Sequence, residues 1–360
     1  MSATENKYHY IFVHGLSGWG SYDKAYRAVP YWGMFGGDLI KYLRKQDISC
    51  YAASVAPTGS AWDRACELYA QLSGSRTDYG TAHSTRCRHD RFGRDYSSDP
   101  LYPYWDNGDK IVLIGHSFGG ATVRLFAELL ANGDDEERKA AVSGDLSPLF
   151  AGGMENRIHA VVTLAAPTNG TTAYDLYRDP GFDPSSVPVP WSDRQQAKLF
   201  ESRPSRSDDG RDSRDRASFD MHIDNALSLN GRISTLKSVY YLAVPCSATY
   251  KGKDGDWHPI RREMEGMFRK SSAVMGAYSG RSEGGFPLDD RWKENDGLVN
   301  TVSAGAPFGA PVAETDEIVR GKWNVLPVYR GDHMSLQGRM TVRNDIRPFY
   351  RDLIRMIDKL

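Results

Sequence analysis

Short apolar runs alternate with amphipathic stretches along most of the chain. Six runs have the length and the β-branched or aromatic content of strands: residues 10–13, 48–55, 111–114, 158–165, 239–244 and 325–329. Apolar side chains at helical spacing follow at residues 37–45 and 121–130. They recur at the C-terminus, at Ile346, Phe349, Tyr350, Leu353, Ile354 and Ile357. This alternation predicts an α/β fold with a mostly parallel central sheet flanked by helices.

Two stretches interrupt the alternation. Residues 59–106 open with a helical pattern and then become rich in Arg, Asp and Tyr, so this insertion needs a source of cohesion other than an apolar core. Residues 179–217 have few apolar positions and end in a mixed-charge run. Long irregular loops within a compact domain are usually functional or disordered. We therefore expect a single domain over residues 1–360 with two specialised segments.

The charge balance excludes several classes of partner. Forty-five basic and 46 acidic residues give a net charge of -1, so we expect no nucleic-acid binding. No apolar run reaches the roughly 18 residues of a membrane span. The N-terminus lacks the features of a signal peptide, which indicates either a cytoplasmic protein or the mature chain of a secreted one. The four cysteines are expected to be ordinary thiols.

One motif carries candidate chemistry. Gly115-His116-Ser117-Phe118-Gly119 follows the buried run 111–114 and precedes the apolar helix 121–130. A G-x-S-x-G sequence between a strand and a helix places its serine on a strained turn at the end of the sheet. This context predicts Ser117 as the nucleophile of an α/β-hydrolase.

A nucleophilic serine needs a base and an acid, which follow it along the chain in this fold. His333 lies in a loop after the last predicted strand and before the final helix, where the base is expected, whereas His159 falls inside a predicted strand. Asp296, in a turn before Gly297, is the predicted acid. Asp332 is the alternative, although its adjacency to His333 makes the required hydrogen bond awkward.

The oxyanion of an ester hydrolase is stabilised by backbone N–H groups. One is expected from Phe118, the residue after the nucleophile. The second should come from a loop after an early strand, and Leu16 in His14-Gly15-Leu16-Ser17-Gly18 occupies that position. This loop lacks the spacing of a phosphate-binding loop.

Longer segments resemble one family, the thermoalkalophilic zinc-containing bacterial true lipases. They are Val13-His14-Gly15-Leu16-Ser17-Gly18-Trp19-Gly20, Trp62-Asp63-Arg64-Ala65-Cys66-Glu67, Asp78-Tyr79-Gly80-Thr81-Ala82-His83, Arg91-Phe92-Gly93-Arg94 and Asp290-Arg291-Trp292-Lys293-Glu294-Asn295-Asp296-Gly297. The resemblance covers nearly the whole chain. It implies an ester hydrolase with Ser117, Asp296 and His333 as the triad. The close relatives that this resemblance indicates include enzymes of anaerobic bacteria that hydrolyse synthetic polyesters.

The resemblance further implies a structural zinc ion. Its ligands, matched position by position, are Asp63, His83, His89 and Asp220. The residues alone support this site modestly, through two histidines six positions apart in a polar insertion. Mixed nitrogen and oxygen ligation suits tetrahedral zinc. A site that uses the nearby Cys66 and Cys87 is the alternative. Residues 59–106 are accordingly expected to form a zinc-binding insertion, and residues 170–235 a lid and cap.

Two departures from the family pattern lead to further expectations. The family's calcium site uses a glutamate two residues after the catalytic histidine and a later Asp-Pro, but this chain has Ser335 and Met340-Thr341 there. We therefore expect no bound calcium. The lid segment is shorter and more charged than the apolar lids of the family, so we expect weak activation at oil–water interfaces.

Three functions from different classes fit parts of the sequence. The first is a lipase or carboxylesterase that forms an acyl-serine, acts on small-molecule, lipid or polyester substrates and works as a monomer. The second is a metallohydrolase with a catalytic zinc, although four protein ligands would close the open position that catalytic zinc needs. The third is a non-catalytic binding protein on the same fold. A complete predicted triad favours the first.

Overall fold

The structure is a computed structural model that describes residues 8–142, 144–201, 212–339 and 344–360. The strands of these residues are β1 (His9–Val13), β2 (Cys50–Ala53), β3 (Arg76–Asp78), β4 (Phe92–Asp95), β5 (Ile111–His116), β6 (Ile158–Leu164), β7 (Tyr240–Val244), β8 (Cys246–Ser247), β9 (Thr249–Lys251), β10 (Trp257–Pro259), β11 (Gly280–Arg281), β12 (Pro287–Leu288), β13 (Trp323–Val325) and β14 (Tyr329–Arg330). Their helices are α1 (Lys24–Ala28), α2 (Leu39–Arg44), α3 (Ala61–Ser73), α4 (Thr81–Cys87), α5 (Gly119–Asn132), α6 (Asp135–Ala140), α7 (Pro148–Ala151), α8 (Thr172–Asp175), α9 (Trp191–Glu201), α10 (Ala217–Asp220), α11 (Ile223–Asn230), α12 (Arg269–Ala277) and α13 (Arg347–Ile357).

Six strands form the central sheet, in the order β13-β7-β6-β5-β1-β2, and every neighbouring pair is parallel. The central strands β5 and β6 are buried along their whole length. Parallel strands covered on both faces read as continuous apolar runs, which is why the sequence revealed them. The predicted mostly parallel sheet is confirmed.

Helices cover both faces of this sheet. Alternate side chains of β1 point to opposite sides, so that Ile11 and Val13 join one apolar cluster and Tyr10 and Phe12 join the other. The first cluster is completed by α3 and α5, and the second by α2 and α13. The sheet is therefore the middle layer of an α/β/α arrangement. No helix among the described residues has the length and apolar character needed to cross a membrane.

The two interrupting stretches contain more structure than their patterns indicated. The helix that opens residues 59–106, α3, belongs to the main core rather than to a separate insertion. The polar part of that stretch forms α4 and the antiparallel pair of β3 and β4. Residues 179–217, expected to be an irregular loop, include α9. On this helix Asp193 is buried and pairs with Arg261 and Arg269.

Candidate active site

Ser117 lies at the tight turn between β5 and α5. Its φ of +55° places it in the left-handed region, which a non-glycine residue adopts only under constraint. The turn is crowded, because a Cβ atom at Gly15 would lie 2.7 Å from the Cβ of Ser117. A Cβ at Gly119 would lie 2.3 Å from the carbonyl oxygen of Val13. Glycine is therefore required at Gly15 in the facing loop and at Gly119 in the turn, and the serine is presented at the carboxyl end of the sheet as the motif predicts.

The hydroxyl of Ser117 is the first member of a buried hydrogen-bonded series. Its Oγ lies 2.8 Å from Nε2 of His333, and Nδ1 of His333 lies 2.9 Å from Oδ2 of Asp296. The other carboxylate oxygen of Asp296 accepts from the N–H groups of Leu298 and Val299. An ionised carboxylate only accepts, so Nδ1 carries the proton and Nε2 is free to accept from the serine. The structure thus brings the three predicted residues together.

Asp332, the alternative acid, is occupied elsewhere. One of its carboxylate oxygens accepts from the N–H of Glu265, and the other accepts from the N–H of Met334 and the hydroxyl of Ser335. Burial raises the pKa of this carboxyl. Its contacts shape the loop that carries His333, while Asp296 occupies the position beside the imidazole ring.

A second series of hydrogen bonds lies behind the triad. The backbone N–H of Gly15 donates to the hydroxyl of Tyr31, which lies 2.7 Å from Nδ1 of His116. Nε2 of His116 lies 2.8 Å from the carbonyl oxygen of His333. A carbonyl only accepts, so Nε2 of His116 donates and its Nδ1 accepts from Tyr31. Burial lowers the pKa of His116 to about 3, which keeps the ring neutral and the series in one direction.

The two predicted oxyanion donors belong to segments next to Ser117. Leu16 and Ser117 both line it, and Phe118 immediately precedes the first turn of α5. Among the described residues, neither the N–H of Leu16 nor that of Phe118 has a protein acceptor. The positive end of the α5 dipole adds to the field at this point. Both N–H groups are therefore available to a negative oxygen that forms on a carbonyl next to Ser117.

The cleft above Ser117 has a volume of about 180 Å³ and mostly apolar walls. Its lining includes Trp19, Met34, Tyr174, Met221, Met267, Phe268, Leu298, Val299 and Met334. Sequence reasoning missed these residues, because they come from loops far apart in the chain and follow no common pattern. Ligand pockets are usually about 300–1,000 Å³. This smaller cleft suits short or medium apolar groups.

Four other side chains form a possible metal-binding group: Asp63, His83, His89 and Asp215. Their histidine nitrogens and carboxylate oxygens lie 3.1 to 3.7 Å apart. Tetrahedral zinc with ligands at 2.0–2.1 Å needs about 3.3 Å between ligand atoms. Nε2 of His89 and both carboxylate oxygens of Asp215 are buried without hydrogen-bond partners among the described residues. Such orphaned polar atoms are costly unless an ion binds them, so the donor set fits zinc.

Comparison with known proteins identifies the family. A family model described as the lipase-like C-terminal domain matches residues 6–181 and 202–359. The chain belongs to this family. It is 34% identical to Lipase 2 of Staphylococcus aureus, over 92% of this chain and 50% of that protein. The chain therefore spans about half the length of this curated relative.

Solved structures of lipases and esterases have the same fold. EstA from Clostridium botulinum superposes with a TM-score of 0.83 at 30% identity, over 99% of this chain and 88% of that one. Staphylococcus hyicus lipase superposes with a TM-score of 0.79 at 27% identity, over 99% and 97% of the two chains. The predicted α/β-hydrolase fold and the resemblance to bacterial lipases are confirmed.

One predicted metal ligand of this lipase-like domain needs correction. Asp220 lies at the end of α10, and its Oδ2 accepts from the N–H of Ala61 at the first turn of α3. Asp215, in the turn before α10, faces the two histidines instead. Four residues separate these aspartates, and Asp220 ends the short helix α10 that follows Asp215, so Asp215 faces the cluster while Asp220 faces α3.

The cysteine alternative is not supported by the geometry of the described residues. All four cysteines are free and buried, which confirms that they are ordinary thiols. Cys66 and Cys87 lie outside the group of candidate ligands. Cys87 comes only within 3.8 Å of Nδ1 of His83, the ring nitrogen that faces away from the cluster.

Arg339 lies in the region where the family has its calcium ligands. The Nε of Arg339 is 3.6 Å from Oε1 of Glu265 and 3.8 Å from Oδ2 of Asp332. Ser335 donates its hydroxyl to Asp332, and Met340-Thr341 lie outside the described residues. The two buried carboxylates thus share one guanidinium group as a counter-charge.

Proposed function

We propose that the chain is a lipase or carboxylesterase that hydrolyses carboxylic esters through an acyl-serine on Ser117. The observation that carries this proposal is the buried series from Ser117 through His333 to Asp296 at the floor of an apolar cleft. An aligned base within hydrogen-bond distance is what activates a serine hydroxyl. The lipases and esterases among the relatives support the same activity.

The geometry supports a two-step reaction. His333 accepts the proton of Ser117 as its Oγ attacks the ester carbonyl, and the N–H groups of Leu16 and Phe118 stabilise the oxyanion. His333 then gives its proton to the leaving alkoxide, and the acyl group stays on Ser117. Water, deprotonated by His333, attacks the acyl-serine, and His333 returns that proton to the Oγ of Ser117 as the carboxylic acid is released. Asp296 stabilises the imidazolium that forms in each step.

The cleft favours monomeric esters with short or medium acyl chains. Its walls bury apolar groups, and its volume is about 180 Å³. Lipids and polyesters with acyl groups of this size are carboxylic esters too, and so belong to the same substrate class. We expect the rate on a soluble ester series to peak at short to medium chain length. It should also rise smoothly with concentration through the solubility limit of the substrate.

Zinc fits the group of Asp63, His83, His89 and Asp215 in a structural role. Four protein ligands fill a tetrahedron and leave no position for a reacting water. When bound, the ion supplies a cross-link between α3, α4 and the segment before α10. His89 is oriented for this role, because its Nδ1 lies 2.8 Å from the carbonyl oxygen of Asp90, which leaves Nε2 as a ligand.

Three alanine variants and one covalent probe test the serine mechanism. Ser117→Ala and His333→Ala should each lower kcat by several decades, and Asp296→Ala by less, as in other triads. A fluorophosphonate should label the wild-type enzyme and leave Ser117→Ala unlabelled. Ser117→Ala with nearly full activity would instead indicate a metallohydrolase. An active Asp296→Ala beside an inactive Asp332→Ala would overturn the choice of acid.

A further inference from the structure

Arg64 is a cation enclosed by the protein core. It lies on α3 and has no solvent exposure. Its guanidinium donates to three backbone carbonyls, those of His14, Gly15 and Ala56. Among the described residues, no carboxylate lies within ion-pair distance of it. The charges of Glu67 and Asp220 act on Arg64 from beyond that distance. A buried cation without a direct ion pair still costs free energy, so its contacts need a reason beyond packing.

The contacts converge on the peptide that leads to the oxyanion loop. The carbonyl oxygen of Gly15 accepts from Arg64 and lies 2.8 Å from Nδ1 of His14. The Nε2 of His14 accepts from the N–H of Val55, so its Nδ1 carries the proton and donates to Gly15. The N–H of Gly15 donates to Tyr31. Gly15 is thus held on both sides by groups that fix its orientation.

The orientation of Gly15 determines that of the next N–H. In a trans peptide the C=O of one residue and the N–H of the following residue point in opposite directions. The described residues contain no cis peptide bond. Because the Gly15 carbonyl is drawn toward Arg64, the N–H of Leu16 is turned away from Arg64 and toward the cleft that both Leu16 and Ser117 line.

Arg64 also contacts the element that carries the second donor. Its Nε donates to the hydroxyl of Thr122, which in turn donates to the carbonyl of Phe118. The guanidinium carbon lies 5.1 Å from the centre of the Phe118 ring. One side chain therefore braces both segments that supply oxyanion donors.

We propose that Arg64 is a positioning residue that sets the direction of the Leu16 N–H before substrate binds. The inference rests on the proposed serine mechanism, because the N–H has a role only where an oxyanion forms. Preorganised donors stabilise the transition state more than the bound ester. Loss of Arg64 should therefore lower kcat and leave KM nearly unchanged.

The test compares two buried arginines. Arg124 on α5 is 2% exposed and donates to Thr168 and Asn230, away from the oxyanion loop. Arg64→Met should lower kcat about 100-fold with KM within about threefold, the effect of losing one oxyanion donor. Its fluorophosphonate labelling rate should fall in parallel. Arg124→Met should lose comparable thermal stability yet keep kcat within about threefold. Arg64→Lys should have a kcat about tenfold higher than that of Arg64→Met.

Two outcomes overturn the inference. One is an Arg64→Met enzyme that, corrected for its folded fraction, matches Arg124→Met in kcat and labelling rate. The other is a loss confined to KM. If Arg64→Met does not fold, Thr122→Val gives the same test in milder form, with an expected fall in kcat of several-fold at unchanged KM. Ser117→Ala separates the two proposals, because its activity reports on the serine mechanism whatever Arg64 does.

Discussion

Two neutral histidines form part of the frame around the nucleophile. Burial and the nearby Arg64 cation lower the pKa of His14 to about 3, and burial beside His333 lowers that of His116 to about 3. His14 accepts from Val55, and His116 accepts from Tyr31. Protonation of either ring would replace an acceptor with a donor. Both hydrogen-bond series therefore depend on rings that stay uncharged.

These shifts predict how stability falls in acid. An unfolded histidine titrates near 6.5, so between pH 6.5 and about 3 the unfolded chain binds more protons than the folded one. The stability that each ring contributes is complete above pH 6.5 and is lost as the pH falls toward 3. Each of the two histidines should lower the free energy of unfolding by about 1.4 kcal/mol per pH unit as the pH falls through that window.

Urea unfolding at pH 7, 6 and 5 measures this effect as a difference between variants. His116→Gln should reduce the slope of unfolding free energy against pH by one proton relative to the wild type. Equal slopes for His116→Gln and the wild type would show that His116 is protonated when folded.

For single residues, the sequence predicted which side chains carry the chemistry better than it predicted which residues those side chains contact. Ser117, His333 and Asp296 were found because a local motif and the chain order of the triad constrain them. Asp215 was missed because it lies in a charged run whose spacing does not distinguish it from Asp220. Tyr31 was missed because its role depends on which residues fold against it.

Helix α9 carries a buried acidic side chain that is paired with two arginines. Asp193 on this helix is 1% exposed and pairs with Arg261 and Arg269. The helix lies against residues 266–268, of which Met267 and Phe268 line the cleft. The ion pairs thus fasten α9, which lies in the predicted lid region, to the wall of the cleft.

Asp193→Asn should loosen this helix without unfolding the protein. It removes the charge that two arginines share, so hydrogen exchange of the amides in residues 191–198 should accelerate at least about tenfold. Gln195→Ala, on the exposed side of the same helix, is the control. Exchange that stays slow in Asp193→Asn would mean that packing alone holds the helix.

The elements predicted correctly are those whose apolar pattern has a single interpretation. Residues 111–114 and 121–130 are long, apolar and bounded by glycine, so β5 and α5 were located closely. The short pair β3 and β4 was missed, because its strands are only three and four residues long and largely exposed. The spacing of apolar residues does not reveal an element that is held by ion pairs or by a metal-binding group.

At the scale of the molecule, the metal-binding group joins segments that are distant in the chain. We expect purified protein to contain about one zinc per chain by elemental analysis. Asp215→Ala should lose the metal and several degrees of thermal stability, whereas Asp220→Asn should retain the metal. The opposite pattern would restore Asp220 as the ligand. Millimolar calcium should have little effect on the unfolding temperature, because the Arg339 cation already lies beside Glu265 and Asp332.

Asp63 and Arg64 are consecutive on α3, yet one faces the metal-binding group and the other the oxyanion loop. If binding at one face of α3 shifts the helix, it changes affinity at the other face, and such linkage is reciprocal. A phosphonate on Ser117, whose oxygen occupies the oxyanion position, should therefore tighten zinc binding about fivefold in competition with a chelator. Arg64→Met should abolish the difference. Equal zinc affinity in free and phosphonylated enzyme would mean that α3 transmits nothing between its two faces.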